Sequence, residues 1–330
     1  MASRQSKPLF FQHLSPFLES LPTKLESACN HSEYLQSYLD HYRLDLQKAG
    51  LASHYCICRS PVANYHIVEQ RWQPQAPSLN QTLIVVHGYM DHTGLYGQLI
   101  AWALQRGYEV HSFDLPGHGL SSGAQAAIDS FDDYTDVLSH ILQREAYTDY
   151  TIVGQSTGCA VILNGILNPR YVLAIPAAIA LFAPLVRSHL WHYLRYLYFL
   201  LRPIVPAVRR RFHQSSHNHR FNHFLEYKDP LQAKRIPLCW LGAMEQWTKA
   251  IKSFPVYAQQ TVPLIIQGTA DGTVDRHYNL AQIKAKCPHS QLIEIEDAGH
   301  QLVNESDEYW QVLVRALDKD LGLVASDKVD

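Results

Sequence analysis

Three side chains, far apart along the chain, have the types and the order that acyl-transfer chemistry needs. Ser156 lies at the centre of the segment 154–158 (GQSTG), and Asp271 and His300 follow it in that order. A serine hydroxyl is a poor nucleophile, so an imidazole must accept its proton, and a carboxylate must fix the tautomer of that imidazole. The sequence therefore predicts Ser156 as the nucleophile, His300 as the general base and Asp271 as the acid that orients His300.

The residues around Ser156 predict the turn that such a nucleophile requires. An apolar run at 150–153, typical of a strand, precedes the turn, and a helical pattern at 159–167 follows it. A G-x-S-x-G motif between a strand and a helix holds its serine in a strained backbone conformation. Its two glycines, Gly154 and Gly158, avoid side chains where the strand and the helix nearly touch. An ordinary tight turn is the alternative for Ser156.

The other two candidates also follow predicted strands. Asp271 comes just after an apolar strand at 263–268, and His300 comes just after a strand at 292–296. This order of serine, acid and histidine along the chain is the one expected of an α/β-hydrolase.

Alternatives remain open for the acid and for the base. Asp271 could instead cap the helix that starts near Asp275, which leaves Asp275 and Asp297 as rival carboxylates. His300 is one of 19 histidines, and its place after the last predicted strand distinguishes it from the others.

The composition is that of a globular protein without a strong charge bias. The 330 residues are 47% hydrophobic and 18% charged, which allows one large α/β domain with an insertion. A formal net charge of −2 gives no indication of a nucleic-acid partner. The six cysteines are scattered and match neither a disulfide framework nor a zinc site, and we predict no metal or organic cofactor. Residues 1–21 contain no continuous apolar leader segment, so we expect a cytoplasmic protein.

Strands and helices alternate along most of the chain. Predicted strands lie at 54–60, 65–72, 83–86, 108–113, 150–153, 177–182, 262–267 and 292–296. Predicted helices lie at 32–48, 96–105, 131–144, 159–167 and 305–317. This alternation predicts an α/β fold with a mostly parallel sheet covered by helices on both faces. We expect a helical extension at 1–50, a core at 51–185 and 254–330, and an inserted helical cap at 186–253.

The predicted cap begins with an aromatic and apolar stretch at 190–201. Charged, histidine and proline residues interrupt it within the length that a membrane-spanning helix needs: His192, Arg195, Arg202, Pro203 and Pro206. The stretch is either a helix packed on the core or a face that lines an acyl pocket or contacts a membrane surface.

A basic stretch follows at 209–235. It contains seven lysine and arginine residues against two carboxylates, Glu226 and Asp229, on a nearly neutral chain. This charge favours an anionic headgroup or surface, and a solvated face is the alternative. Four histidines lie in the same stretch: His213, His217, His219 and His223. They lack cysteine or carboxylate partners at ligand spacing, so we predict no metal site there.

Three segments of the chain resemble a known family. The segment 87–96 (HGYMDHTGLY) is similar to the HGxxEHxGxY segment of monoglyceride lipases and bacterial lysophospholipases, and 114–121 (DLPGHGLS) is similar to their DxxGHGxS loop. The segment 229–231 (DPL), followed by Trp240 and Met244, looks like their return from cap to core. The resemblance runs from about 82 to 305 and leaves residues 1–50 outside it.

The resemblance implies an oxyanion hole formed by the backbone N–H groups of Tyr89 and Thr157. Thr157 opens a helix, so its amide is free to point at the site. Such a donor typically stabilises the transition state by about 3 kcal/mol. For the substrate pocket we expect Met90, Trp191 and Tyr198.

Other residues of the resembling segments have an expected architectural role. His87, Asp114 and His118 would hold loops through hydrogen bonds rather than take part in catalysis. The chain departs from the family pattern where Tyr89 and Met90 replace smaller residues and where Asp91 replaces glutamate.

These observations together predict a cytoplasmic serine hydrolase with an α/β-hydrolase core and a helical cap. It would cleave carboxylic esters of small molecules through an acyl-enzyme intermediate, and a lysophospholipid or a monoacylglycerol is the expected substrate. The cap is a candidate for peripheral membrane contact, and no nucleic-acid partner is expected.

Several alternatives share the fold. A serine aminopeptidase would need carboxylates in the cap to bind a substrate amine, and Glu226, Asp229 and Glu245 are the candidates. A thioesterase or small-ester esterase is a second alternative, and a non-catalytic binding protein is a third. Epoxide hydrolases and dehalogenases need aspartate at the position of Ser156, which excludes them.

Overall fold

The computed structural model describes residues 7–25 and 32–321. Its strands are β1 (Ala52–Val62), β2 (Tyr65–Pro74), β3 (Thr82–Val86), β4 (Glu109–Phe113), β5 (Tyr150–Gln155), β6 (Ala178–Phe182), β7 (Ala207–Arg209), β8 (Arg235–Pro237), β9 (Pro263–Gly268) and β10 (Gln291–Ile295). Its helices are α1 (Leu9–Gln12), α2 (Leu14–Ser20), α3 (Glu33–Tyr42), α4 (Gly97–Gln105), α5 (Phe131–Glu145), α6 (Thr157–Leu167), α7 (Trp191–Leu201), α8 (His219–Tyr227), α9 (Leu238–Ser253), α10 (Arg276–Lys286) and α11 (Asp307–Asp320). Residues 1–6, which belong to the segment where no leader is expected, and Cys29 lie outside the described residues.

The main sheet has eight strands in the order β1-β2-β4-β3-β5-β6-β9-β10. The strands from β4 to β10 run parallel, and β1 and β2 add an antiparallel hairpin at one edge. The prediction of a mostly parallel sheet is therefore confirmed. A separate two-stranded antiparallel ribbon joins β7 to β8.

Each central strand is buried on both faces because its side chains alternate between two apolar clusters. In β3, Leu83 and Val85 pack in the cluster that contains α3, α4 and α11. Ile84 and Val86 of the same strand pack in the opposite cluster, with α5, α6 and α9. A continuous β-branched run is typical of such a strand.

The helix predicted at 32–48 is shorter than expected, and the prediction of its end is wrong. Helix α3 stops at Tyr42 because Arg43 adopts a left-handed conformation, with φ of 57°. The amide of Arg43 donates to Asp40 O at 3.4 Å, and the amide of Leu44 donates to Leu39 O at 2.8 Å. These two bonds form a Schellman motif, which ends the helix although the apolar spacing continues to Leu46.

The chain between β6 and β9 leaves the core and contains α7, the β7–β8 ribbon, α8 and α9. Leu194, Tyr198 and Leu201 of α7 pack toward the core, whereas Tyr193, Tyr196, Phe199 and Leu200 are exposed. In the part of the chain that the structure describes, no helix is both long enough and apolar enough to cross a bilayer.

The N-terminal extension is bound to this inserted segment through a buried carboxylate. Tyr42 donates its hydroxyl to Asp229 Oδ1 at 2.7 Å, and His92 Nε2 and Gln232 Nε2 approach Oδ2 at 3.1 and 3.0 Å. Burial would raise the pKa of Asp229, but His92 and these donors outweigh it and hold that pKa below its usual range. Asp229 therefore links the extension, the core and the insertion.

Candidate active site

Ser156 lies in a strained turn between β5 and α6. Its φ of 54° and ψ of −110° belong to a sparsely populated region for a residue with a side chain. Its amide donates to Phe182 O at 2.8 Å, and its carbonyl accepts from Cys159 N at 3.0 Å and Leu185 N at 3.2 Å. These bonds on both sides hold the turn in place.

The two glycines of the turn are required by close packing. A methyl group on Gly158 would lie 2.1 Å from Val86 O, and one on Gly154 would lie 2.8 Å from Cys159 N. Both distances are too short for any side chain, so the expectation that strand and helix nearly touch there is confirmed.

Asp271 and His300 are in direct contact at the carboxyl ends of β9 and β10. His300 Nδ1 donates to Asp271 Oδ2 at 2.8 Å. The other carboxylate oxygen accepts from Thr273 N at 2.8 Å and Val274 N at 3.1 Å, and Gln267 Nε2 donates to Oδ2 at 3.0 Å. Because the Asp271 carboxylate only accepts hydrogen bonds, His300 carries its proton on Nδ1, and its Nε2 keeps a lone pair.

The rival carboxylates serve other purposes. Asp275 caps α10 by accepting from Tyr278 N at 3.2 Å, and it forms an ion pair with Arg187 at 2.6 Å. Asp297 has φ of 55°, and its amide donates to Thr269 Oγ1 at 2.8 Å. Within the described residues, Asp271 is the carboxylate that hydrogen-bonds His300.

The two members of this pair shift each other's pKa in opposite directions. Burial favours neutral imidazole, but the Asp271 carboxylate outweighs burial and raises the pKa of His300 above its usual value. Burial also opposes ionisation of Asp271, but His300 and the amide donors outweigh it and lower the pKa of that carboxyl. An imidazolium at His300 would therefore be stabilised by the Asp271 carboxylate.

Ser156 is adjacent to the loop that carries His300. Gln155 donates Nε2 to His300 O at 2.8 Å, which fixes the two loops to each other. Among the described residues, neither the Ser156 hydroxyl nor His300 Nε2 makes a hydrogen bond. Ser156 is only 7% exposed and His300 only 5%, so both groups lie beneath the surface.

A tight turn at 88–91 lies against Ser156. Asp91 N donates to Gly88 O at 3.1 Å, and the positive φ of Met90, 62°, is that of a type II turn. A methyl group on Gly88 would lie 3.4 Å from Ser156 Cβ. In residues 7–25 and 32–321, the backbone N–H groups of Tyr89 and Thr157 have no hydrogen-bond acceptor. Both donors are therefore available to an oxyanion.

A buried network, missed by the sequence analysis, connects this turn to the histidine loop. Gly88 N donates to Tyr96 Oη at 3.0 Å, and that hydroxyl donates to Asp91 Oδ2 at 3.0 Å. Gln301 Nε2 lies 3.0 Å from each oxygen of Asp91. Burial raises the pKa of Asp91. The available signals were the presence of Tyr96 in the segment 87–96 and the position of Gln301 next to His300.

The residues expected to be architectural do hold loops. His87 Nδ1 donates to Gly88 O, and Nε2 accepts from Leu115 N, both at 2.8 Å. Asp114 accepts from Thr93 N and Leu120 N, both at 2.8 Å, and His118 Nδ1 donates to Pro116 O at 2.9 Å.

The three residues expected in the substrate pocket lie in different surroundings. Met90 packs with Ala126 and Ala233. Trp191 lines a cavity of about 500 Å³ that also touches Asp271. Tyr198 packs on α9, with its hydroxyl 2.6 Å from where a methyl on Gly242 would lie. Their shared role in substrate binding stays a prediction.

Two further features bear on the site. The ring of Trp240 in α9 stacks on Tyr89 with centroids 3.7 Å apart, so the insertion contacts the turn at 88–91. The described residues contain no group of three or more histidine, cysteine or acidic side chains that could hold a metal ion. Of the four histidines in the basic stretch, His217 pairs with Glu305 at 3.1 Å.

Comparisons with known proteins identify a family and several relatives that this chain is similar to. Residues 77–307, more than half of the chain, match the family described as "Serine aminopeptidase, S33". The chain is 26% identical over 272 residues to a monoglyceride lipase homolog of monkeypox virus, covering 79% of this chain and 96% of that protein. It is 28% identical over 101 residues to phospholipase YtpA of Bacillus subtilis, covering 30% of this chain and only 39% of that protein.

A solved structure has the same fold at low sequence identity. A soluble variant of monoglyceride lipase from Saccharomyces cerevisiae, in complex with a substrate analog, matches with a TM-score of 0.69 and 17% identity. The match covers 83% of this chain and 98% of that one. The α/β-hydrolase fold predicted from the sequence is thereby confirmed.

Proposed function

The chain belongs to the serine aminopeptidase S33 family of α/β-hydrolases, in the branch of monoglyceride lipases and lysophospholipases, and we propose that it is a serine ester hydrolase. Its substrate would be a single-chain lipid ester, either a lysophospholipid or a monoacylglycerol. The observation that carries the proposal is the buried Asp271–His300 pair beside the strained turn of Ser156.

In the proposed reaction, Ser156 Oγ attacks the ester carbonyl while His300 Nε2 takes its proton. The negative charge that develops on the carbonyl oxygen is bound by the free N–H groups of Tyr89 and Thr157. His300 then gives its proton to the departing alcohol, which leaves an acyl-enzyme. Water, deprotonated by the same nitrogen, releases the fatty acid and restores Ser156. Asp271 orients His300 throughout and stabilises the imidazolium.

The surface of α7 supports a lipid substrate. Tyr193 and Tyr196 are 61% and 66% exposed, and Phe199 and Leu200 lie on the same helix with 41% and 52% exposure. A contiguous patch of large apolar side chains on a soluble fold marks a place where something binds. We propose that this patch makes peripheral contact with the lipid surface from which the substrate is taken.

The contacts of the cap carboxylates give little support to an aminopeptidase. Asp229 is buried and already bound to His92 and Tyr42. Glu245 forms ion pairs with Arg195 at 2.8 Å and Lys249 at 2.9 Å. Of the three candidates for an amine site only Glu226 lacks an ion pair with a described cation, and it lies in a strongly basic region.

A labelling experiment combined with a substrate panel tests the proposal. A fluorophosphonate probe is expected to label the native protein and not Ser156→Ala. Native protein is expected to hydrolyse monoacylglycerol or lysophospholipid faster than aminoacyl amides or acyl thioesters. Labelling of Ser156→Ala at another serine, or preference for amides or thioesters, would contradict it.

A variant of α7 tests the lipid contact separately. Tyr196→Ser combined with Phe199→Ser is expected to raise KM for long-chain esters several-fold, about 3 to 10, through loss of apolar contact. Hydrolysis of p-nitrophenyl acetate is the control, since this small ester needs no such surface. Equal effects on both substrates would make α7 a structural support.

A further inference from the structure

A large groove lies between the N-terminal extension and the inserted segment. Its volume is about 2250 Å³, and the extension contributes one wall with Pro8, Phe11 and Gln36. The opposite wall comes from the β7–β8 ribbon and from the chain that follows α8. No role is assigned to this groove by the mechanism above.

The groove is strongly basic. Six cationic side chains of the insertion line it: Arg209, Arg210, Arg211, Lys228, Lys234 and Arg235. Lys7 adds a seventh from the extension. Four carboxylates line it as well, Glu33, Asp40, Glu226 and the already paired Asp229. The lysine and arginine ion pairs of the described residues are all made by other cations, so these seven have no described carboxylate partner.

The backbone itself brings like charges together. The antiparallel register of the ribbon sets Arg209 directly opposite Arg235. Arg210 N then donates to Lys234 O at 3.0 Å, which brings two more cationic residues into adjacent positions. Like charges directly opposite each other destabilise a strand pair. A bound anion between the two strands would remove this repulsion.

Arg210 lies at the inner end of the groove, close to the turn at 88–91 that carries the N–H group of Tyr89. Its Nη1 donates to Gln232 Oε1 at 2.6 Å, and Gln232 Nε2 donates to Met90 O at 2.9 Å. One side chain therefore separates Arg210 from the turn at 88–91. Its Nε and Nη2 groups have no acceptor among the residues that the structure describes, which leaves donors for a ligand.

We infer that the groove is a binding site for a phosphate group, with Arg210 as its inner ligand and Arg209 and Arg235 as outer ones. The phosphate is that of a single-chain phospholipid whose ester lies at Ser156, so the inference rests on the proposed function and narrows its substrate class. A planar guanidinium matches phosphate oxygens in a bidentate way. A monoacylglycerol has no charge to occupy these donors.

The inference is tested with two substrates that differ only in the headgroup, palmitoyl lysophosphatidylglycerol and monopalmitoylglycerol. Arg210→Gln is expected to lower the ratio of their kcat/KM values by about 10- to 100-fold, the loss of a charge-assisted bond. Arg209 and Arg235 lie at exposed positions. The double variant Arg209→Gln with Arg235→Gln is therefore expected to lower the same ratio by a smaller factor than Arg210→Gln, and this factor is expected to shrink further at high salt.

Arg220→Gln is the matched control. This exposed arginine on α8 does not line the groove and is expected to leave the ratio unchanged. An equal loss for both substrates in Arg210→Gln would overturn the inference, since it would show that Arg210 only supports the turn at 88–91 through Gln232.

A binding measurement separates failure of this inference from failure of the proposed function. Calorimetry with Ser156→Ala protein and glycerol 3-phosphate is expected to detect binding that Arg210→Gln weakens, whatever reaction the protein catalyses. Absence of binding overturns the anion site even if Ser156 is labelled by fluorophosphonate. Weaker binding of Arg210→Gln to phosphatidylglycerol vesicles, with an unchanged substrate ratio, would also overturn it in favour of membrane docking.

Discussion

Two buried histidine–carboxylate pairs occupy different parts of the sheet. They differ in whether the second ring nitrogen of the histidine has a hydrogen-bond partner. His300 and Asp271 meet at the carboxyl ends of parallel strands, with 2.8 Å between Nδ1 and Oδ2. His111 of β4 and Glu69 of β2 meet within the strand ladder, with 3.1 Å between Nε2 and Oε2. Burial and a nearby carboxylate are common to both pairs, so neither property makes a histidine a base.

The difference lies in the second ring nitrogen. His111 Nδ1 is bonded to the hydroxyl of Tyr147 at 2.7 Å, and Arg144 Nη2 also contacts Glu69 at 2.6 Å. Every polar atom of that cluster has a fixed partner, which suits a structural role. His300 Nε2 has no partner among the described residues, and the loop that carries it is fixed to Gln155 beside Ser156. A ring nitrogen without a fixed partner is free to accept a proton, which is what a general base requires.

Each of the two histidines can be replaced by glutamine, and the His300 variant has the largest expected effect. His300→Gln is expected to lower kcat by about four to six orders of magnitude, because the base is lost, with little change in melting temperature. His111→Gln is expected to cost about 1–3 kcal/mol of unfolding free energy and to leave kcat near that of the native protein. Ester turnover and thermal unfolding of both variants measure this. An active His300→Gln would break the comparison.

Removal of the carboxylate gives the next effect. Asp271→Asn is expected to lower kcat by about 10⁴-fold, because His300 would lose its tautomer. Asp271 also raises the pKa of His300, so the acid limb of the residual pH profile is expected to move to lower pH. Asp275→Asn is the control, and it is expected to weaken only the cap of α10, by about 1 kcal/mol. A larger kinetic loss in Asp275→Asn would identify a different acid.

Glu69→Gln tests the structural pair and has the smallest effect of the three. It leaves Arg144 without its buried partner and is expected to cost about 3–5 kcal/mol of unfolding free energy. Burial opposes ionisation of Glu69, but His111 and Arg144 lower its pKa from 4.5 to about 2. Its contribution is therefore present above the unfolded pKa and lost as pH falls from 4.5 toward 2.

Urea unfolding of native and variant protein as a function of pH measures this contribution. The decline in stability over that acidic range is expected to be shallower in Glu69→Gln. Parallel pH curves for the two proteins would contradict the role assigned to the pair.

The three candidate catalytic residues could be predicted because each one follows a predicted strand. Ser156 and Asp271 follow the buried strands β5 and β9, and His300 follows the edge strand β10. The carboxyl ends of parallel strands meet at one edge of the sheet. The pair of Glu69 and His111 could not be predicted in this way. Arg144, which also binds Glu69, lies on α5, 75 residues further along the chain, and no local pattern encodes that contact.

The end of α3, the exposed face of α7 and the partners of Asp229 could not be predicted, because they depend on contacts that the sequence pattern does not contain. The end of α3 is set by the left-handed conformation of Arg43, a residue type that does not signal a helix end. The apolar character of α7 is continuous, so the sequence could not tell which face would be exposed. Asp229 was considered for an amine site because it is a carboxylate of the predicted cap, and the structure shows it bound to His92 and Tyr42 instead. The cytoplasmic location stays a prediction.

The hydrogen bond between Tyr42 and Asp229 has a consequence for how this protein could change over evolutionary time. The family match begins at residue 77, yet Tyr42 lies before it, in α3, and binds Asp229 of the segment between β6 and β9. Phe10, Phe17 and Tyr38 of the N-terminal extension are fully buried in the main core. Because one wall of the basic groove is built from this segment, inherited substitutions there could alter substrate preference without touching Ser156 or its partners.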